Sequence, residues 1–252
     1  MTQIYAVANQ KGGVGKTTTT LNLGLSLAAQ KRVLLIDLDP QATLTTALGF
    51  DPYRLERSSY SLLMFDGMTL ARALKPLRAN LALIPGSVDL QAASIKLVQE
   101  HHPLERLREV LRATRLPFDY VLIDTPPGLN VLTVVGLLAA DQVIVPAQCN
   151  HMAIQGIRAV QDVTRRIREN MGNPDLRLRG VLPTFYDPNA VYSQTVLEEI
   201  RALLPAQVFK SLIPYDVHVA DAPHTGKAVV EYAPQSPGAL AYHGLAEEIL
   251  GG

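Results

Sequence analysis

Asn9-Gln-Lys11-Gly-Gly-Val-Gly-Lys16-Thr-Thr-Thr-Thr20 follows the apolar run Ile4 to Ala8 and precedes the amphipathic stretch Leu21 to Ala29. Strand, glycine loop and helix in that order are the setting a phosphate-binding loop requires. Gly12, Gly13 and Gly15 have no β-carbon, so the backbone can take positive φ, approach a ligand closely and aim several N–H groups into one concavity. A helix beginning near Lys16 adds unpaired N–H donors and the partial positive charge of its N-terminus. Lys16 then supplies a full charge to the β- and γ-phosphates, the Val14 and Thr18 backbone completes the cradle, and the Thr17 hydroxyl is placed to ligate Mg2+. The general pattern calls for glycine five residues before Gly15, where this chain has Gln10, and a second lysine, Lys11, precedes the paired glycines.

Outward from the loop, strand-like and helix-like segments alternate. Val33 to Ile36 is a continuous apolar run, as a buried parallel strand requires, and Leu81 to Ile84, Tyr120 to Ile123, Gln142 to Val145, Gly180 to Leu182 and Val208 to Ile213 read the same way. His102 to Ala113 and Ala153 to Glu169 carry apolar residues at helical spacing. The expectation is an α/β fold: a mainly parallel twisted sheet with helices on both faces and ligands at the carboxyl ends of the strands. The span Asp51 to Asn80 has only short mixed apolar runs and predicts no definite element. With 252 residues and 48% hydrophobic composition, a single domain over 1–252 with a sizeable core is expected.

Two acids fall on the same edge as the loop. Asp37-Leu-Asp39-Pro-Gln41 follows one buried run, and Asp124-Thr-Pro-Pro-Gly128 follows another. Mg2+ takes oxygen ligands and keeps several waters, so Asp124 suits a contact through water while Thr17 binds directly. Asp39 is then free to orient or deprotonate a water in line with the γ-phosphate.

Bulk properties narrow the class. One cysteine, Cys149, precludes an internal disulfide and points to a reducing, cytoplasmic compartment. No basic-then-apolar leader and no apolar run of spanning length is present, so no membrane partner is expected. The 23 basic and 23 acidic residues cancel, so any nucleic-acid surface must be local. The six histidines lack zinc-type spacing, and His101-His102 reads as a solvated helix start.

Lys11-Gly-Gly-Val-Gly-Lys16-Thr-Thr resembles the deviant P-loop of the ParA/MinD ATPases, which lacks the usual glycine and has an extra signature lysine. Asp37-Leu-Asp-Pro-Gln, Asp124-Thr-Pro-Pro-Gly, Val145-Pro-Ala-Gln-Cys149, Gly180-Val-Leu-Pro-Thr184, Tyr186-Asp187, Ile213-Pro214 and Ala222-Pro-His-Thr-Gly-Lys227 extend that similarity to chromosomal-type ParA (Soj) proteins over nearly the whole chain. The resemblance implies a P-loop NTPase fold of the deviant-loop class and a nucleoid-associated switch using ATP and Mg2+ in chromosome or plasmid segregation. By the same resemblance, ATP would join two subunits face to face, the homodimer would bind double-stranded DNA non-specifically, and a ParB-like activator would stimulate hydrolysis. It also implies that Lys11 reaches the phosphates of the other subunit and that Thr184 and Pro214 lie near the adenine.

Departures and rivals also follow from residues. The ending Leu245-Ala-Glu-Glu-Ile-Leu-Gly-Gly is acidic and short, unlike the basic amphipathic helix of MinD, and one cysteine cannot supply an iron-protein cluster. The first strand begins by Ile4, which argues against the N-terminal DNA-reading domain of plasmid-type relatives. Where relatives carry arginines, this chain has Asn189 and His218, and residues 150–252 hold nine Lys/Arg against eleven Asp/Glu. The remaining candidate DNA contacts are Arg165, Arg166, Arg168, Arg177, Arg179, Lys210 and Lys227. Two other readings use the same loop: a switch of this superfamily that positions flagella, pili or secretion machinery, and a ligase or synthetase that phosphorylates a small molecule.

Overall fold

In the computed structural model, residues 2–99, 103–113 and 117–251 are described, and their strands form one seven-stranded sheet. The strands are β1 (Gln3–Val7), β2 (Val33–Asp37), β3 (Lys75–Arg78), β4 (Leu81–Ile84), β5 (Tyr120–Asp124), β6 (Gln142–Gln148) and β7 (Arg177–Thr184). Their spatial order is β3-β4-β2-β5-β1-β6-β7. Every pairing is parallel except β3 with β4, an antiparallel edge hairpin.

The continuous apolar runs are explained by burial on both faces. Tyr5, Val7, Val33, Leu35, Leu122 and Ile144 point into one core, whereas Ile4, Ala6, Leu34, Ile36, Val121, Ile123, Val143 and Val145 point into the other. That is the period of two expected of a strand, with both phases apolar because both faces are covered. The helices are α1 (Lys16–Ala28), α2 (Thr43–Ala47), α3 (Ser59–Met64), α4 (Leu70–Ala73), α5 (Leu90–Gln99), α6 (Arg106–Ala113), α7 (Val131–Ala139), α8 (Ala153–Asn170), α9 (Val191–Leu203), α10 (Val217–Asp221), α11 (Val229–Tyr232) and α12 (Pro237–Leu250). Helices α1, α11 and α12 cover the first face, and α3 and α5 to α9 cover the second.

Three expectations are adjusted. Val208 to Ile213 does not form a regular strand: it runs beside β7 through the pairs Phe209 N–H to Val181 O and Ile213 N–H to Pro183 O, with single bridges at Val208 and Pro214. Between those pairs the Lys210 and Ser211 N–H groups donate to the Glu248 carboxylate, at 2.8 and 2.6 Å, instead of to β7, which interrupts the ladder. The indefinite span 51–80 contains α3, α4 and the edge strand β3, in which half-buried and exposed positions alternate over Lys75, Pro76, Leu77 and Arg78. The helix expected from His102 begins at Arg106, and His101-His102 lies outside the described residues.

The order of strands creates the crevice. β1 lies between β5 and β6, and the chain leaves β1 toward β2 on one side but β5 toward β6 on the other. Ligands of open α/β sheets bind at such a switch point, outside the carboxyl ends of the strands.

Candidate nucleotide site

The loop after β1 is held from three sides. Asn9 is buried; its amide donates to Pro146 O at 2.7 Å and its Oδ1 accepts the Lys11 N–H at 3.0 Å. The Gly128 N–H donates to Gln10 O at 2.8 Å, which joins the loop to the turn after Asp124. Thr184 Oγ1 donates to Val14 O at 3.0 Å, which joins it to the end of β7. Within the loop Gly13 and Gly15 take φ of 74° and 90°, the left-handed region that a side chain would strain. Gly12 does not; a β-carbon there would sit 3.7 Å from Pro127. Helix α1 opens at Lys16, so the four N–H groups of its first turn face the loop.

The two lysines occupy different environments. Lys16 is only 6% exposed, and its ammonium donates to Lys11 O at 2.8 Å. Burial lowers its pKa, and the carboxylates of Asp124 and Asp39 oppose that shift. Lys11 is half-buried at the rim, and no side chain among the described residues pairs with it.

The two acidic strand ends meet here. Asp37 and Asp124 are register partners on β2 and β5, and Val7 of β1 is the other partner of Asp124. Both carboxyls are fully buried. Asp124 Oδ1 accepts Thr20 Oγ1 at 3.3 Å, while its Oδ2 has no hydrogen-bond partner. Burial and then the charge of Asp37 push the Asp124 carboxyl well above its ordinary range, against the Thr17 hydroxyl and Lys16. An orphaned, dehydrated carboxylate oxygen beside a threonine hydroxyl is the donor set a hard divalent cation relieves, so these residues fit Mg2+. Among the described residues no group of three His, Cys, Asp or Glu forms a conventional metal cluster.

Asp39 is 7% exposed, its Oδ1 accepts the Gln41 N–H at 2.9 Å, and burial raises its pKa against that bond and the charge of Lys16. The loop that carries it ends at Ala42, which has φ of 49°. Phe185, with φ of 52°, is the other non-glycine residue of positive φ among the described residues. Both flank this face, and such strain persists where surrounding contacts hold it.

Sequence reasoning assigned no role to Asp37, which proves to be a hub. Its carboxylate accepts the N–H groups of Asp39 and Thr45, each at 3.0 Å, and the Thr45 hydroxyl at 2.6 Å. The Gly86 N–H donates to that hydroxyl at 2.7 Å, and the Ser59 hydroxyl donates to Asp37 O at 2.6 Å. An acid that terminates an all-apolar strand two residues before another acid was the available signal.

Beside Gly15 and Thr18 lies a cavity of about 240 Å3 lined by Thr184, Pro214, Phe185, Tyr215 and Tyr242. Phe185 and Tyr215 bring their rings to 6.5 Å. The loop and this apolar slot adjoin at Gly15 and Thr18, with the acids buried beneath the loop, an arrangement suited to a nucleoside triphosphate.

The candidate DNA contacts do not form one patch. Arg165, Arg168 and Arg177 share a groove elsewhere, with Arg166 exposed on the same helix α8. Arg179 stands apart: its guanidinium lies 5.5 Å over the Phe209 ring and donates to Glu248 O at 3.2 Å. Lys210 is exposed, with its own N–H bonded to Glu248 Oε2 at 2.8 Å, and Lys227 is exposed next to Gly226. His218 is paired with Asp216 at 2.9 Å, and Asn189 is turned toward Asp187 through its N–H. No helix among the described residues is long and apolar enough to cross a membrane.

A family model described as an AAA domain matches residues 2–178. The chromosome partitioning protein ParA of Caulobacter vibrioides is 42% identical, over 98% of this chain and 94% of the relative. The sporulation initiation inhibitor protein Soj of Bacillus subtilis is 38% identical, over 99% of this chain and 98% of the relative. Among solved structures, a Mycobacterium smegmatis protein named cobyrinic acid a,c-diamide synthase, with bound ADP and magnesium, superposes with a TM-score of 0.85 at 37% identity, over 99% of this chain and 94% of that one. The chain belongs to the ParA/Soj family and is a P-loop ATPase.

Proposed function

We propose that residues 1–252 form a single ATPase domain that works as a dimerising switch in chromosome or plasmid segregation. ATP is held by residues 11–18, with Thr184 and Pro214 against the adenine. Thr17 would hold Mg2+ and Asp124 would hold it through water, and the bound ion would neutralise charge on the β- and γ-phosphates. Asp39 orients the attacking water and takes its proton as the water oxygen bonds to the γ-phosphorus and ADP leaves with the bridging oxygen. Lys16 stabilises the charge that develops within its own subunit.

The observation that carries the dimer is the contrast between the two loop lysines. Lys16 is engaged and buried, whereas Lys11 sits at the rim without a partner among the described residues and is available to a second copy's phosphates, as an arginine finger is. In the ATP state two such copies bind double-stranded DNA without sequence preference, and a ParB-like activator discharges them. The setting is cytoplasmic and nucleoid-associated.

A ligase reading has one observation in its favour, the synthase name of the Mycobacterium smegmatis structure. Against it, the large cavity next to Asp39, about 830 Å3 and lined by Gln41, Phe50, Asp51, Tyr53 and Gln91 among others, presents a carboxylate and no cation for a small acid. Turnover separates the two. A rise with duplex DNA plus a ParB-like partner supports the switch, and a rise with a small carboxylic acid and an amide donor supports the ligase. ATP-state turnover and dimerisation without DNA binding would indicate a positioning switch.

A further inference from the structure

On the edge of the sheet opposite the nucleotide, the second half of α8, the start of β7 and the segment near Gln207 enclose an open groove of about 330 Å3. Arg177 begins β7 and Thr184 ends it, so the groove lies about 23 Å along the strand from the phosphate loop at ~3.3 Å per residue. The groove is lined by Arg165, Arg168 and Arg177 with Gln161, Thr164 and Gln207, and by no carboxylate.

Thr164 supplies the independent observation. It is 6% exposed, and its hydroxyl has no hydrogen-bond partner among the described residues, although the residue lines the groove. A dehydrated, unpaired hydroxyl is unfavourable and calls for a partner. Gln207 already donates to Leu178 O at 3.0 Å, and Arg165 is shared with Asp162 at 2.8 Å one turn earlier. Arg168 and Arg177 have no ion-pair partner among the described residues. The negative end of the α8 dipole accounts for a cation near the helix terminus, which is Arg168. It does not account for Arg177, which is on a different element, or for the orphaned hydroxyl.

We infer that this groove is an oxyanion site that seats a backbone phosphate of duplex DNA, with Arg168 and Arg177 as the two forks and the Thr164 hydroxyl as a third donor. Guanidinium forks match phosphate oxygens in pairs, and an open groove with donors on two elements admits a phosphodiester with chain continuing on both sides. The inference rests on the DNA-binding reading above and assigns it a surface that is independent of Asn189 and His218. It also places DNA on the edge away from the nucleotide, so both can be held at once.

The test is a mobility-shift titration on unrelated duplexes, with ATP, across a salt series, on the full chain. The R168Q/R177Q variant is expected to bind at least tenfold more weakly at low salt, with a salt dependence flatter by about one unit of slope per guanidinium removed, and with ATP affinity unchanged. T164V, which keeps the shape, is expected to weaken DNA binding a few-fold while its thermal midpoint holds or rises; a merely structural threonine would move the midpoint alone. Wild-type affinity and slope in R168Q/R177Q, or wild-type affinity in T164V, would overturn the groove and leave the DNA-binding reading standing. Absence of wild-type binding at low salt removes both.

Discussion

Thr184 and Val14 are 170 positions apart in sequence, yet the threonine hydroxyl donates to the Val14 carbonyl at 3.0 Å, which ties the end of β7 to the phosphate loop. Thr184 also lines the cavity proposed for the base, so base contact and loop shape are expected to be coupled.

Thr184→Val keeps the side-chain volume and deletes this buried bond. Stability should fall by about 1 kcal/mol, and ATP affinity should fall more than that of a surface control. Denaturant unfolding and nucleotide titration read the two effects, and unchanged values in both would show that the bond holds nothing.

Asp39 and Asp124 are expected to separate by role. Asp39→Ala should retain Mg-ATP, lose about a hundredfold or more in turnover, and accumulate as a dimer. Asp124→Ala should instead lose the advantage that Mg2+ gives to nucleotide binding, because it removes the carboxylate whose Oδ2 is otherwise unsatisfied. Affinity with and without Mg2+, measured beside single-turnover rates, distinguishes them. Normal turnover by Asp39→Ala, or its failure to bind ATP, would rule out the assignment.

Cys149 gives a test of the core beneath this face. Burial pushes its thiol up to about 11, against a weaker opposing effect of Ser193, and the side chain is 6% exposed. The thiolate fraction at pH 8 is then roughly one in a thousand, rising tenfold per pH unit up to the pKa. A maleimide reagent should label the native protein slowly at pH 8 and the denatured protein stoichiometrically. Rapid native labelling would contradict the packing around α9.

The features legible from sequence were those with local chemistry. The phosphate loop could be read because strand, glycines, lysine and helix must be contiguous, and β2 and β5 because burial on both faces makes strands continuously apolar. Asp37 and Asn9 escaped a functional assignment because their importance lies in partners from distant segments: Thr45, Gly86 and Ser59 for one, Pro146 for the other. Val208 to Ile213 has the composition of a strand, but strand formation depends on a neighbour's register, and only isolated bridges form. Arg179 looked like its neighbours Arg165 and Arg177; its stacking on Phe209 is invisible without the fold.

In the proposed switch ATP, through Lys11, assembles two copies of this chain. Static light scattering with a slowly hydrolysed ATP analogue and Mg2+ should give twice the 27.4 kDa chain mass for the wild type and the monomer mass for Lys11→Ala. Lys11→Ala should still bind the analogue, whereas Lys16→Ala should not. Equal dimerisation of wild type and Lys11→Ala, or a wild type that remains monomeric at saturating analogue, would exclude assembly through Lys11.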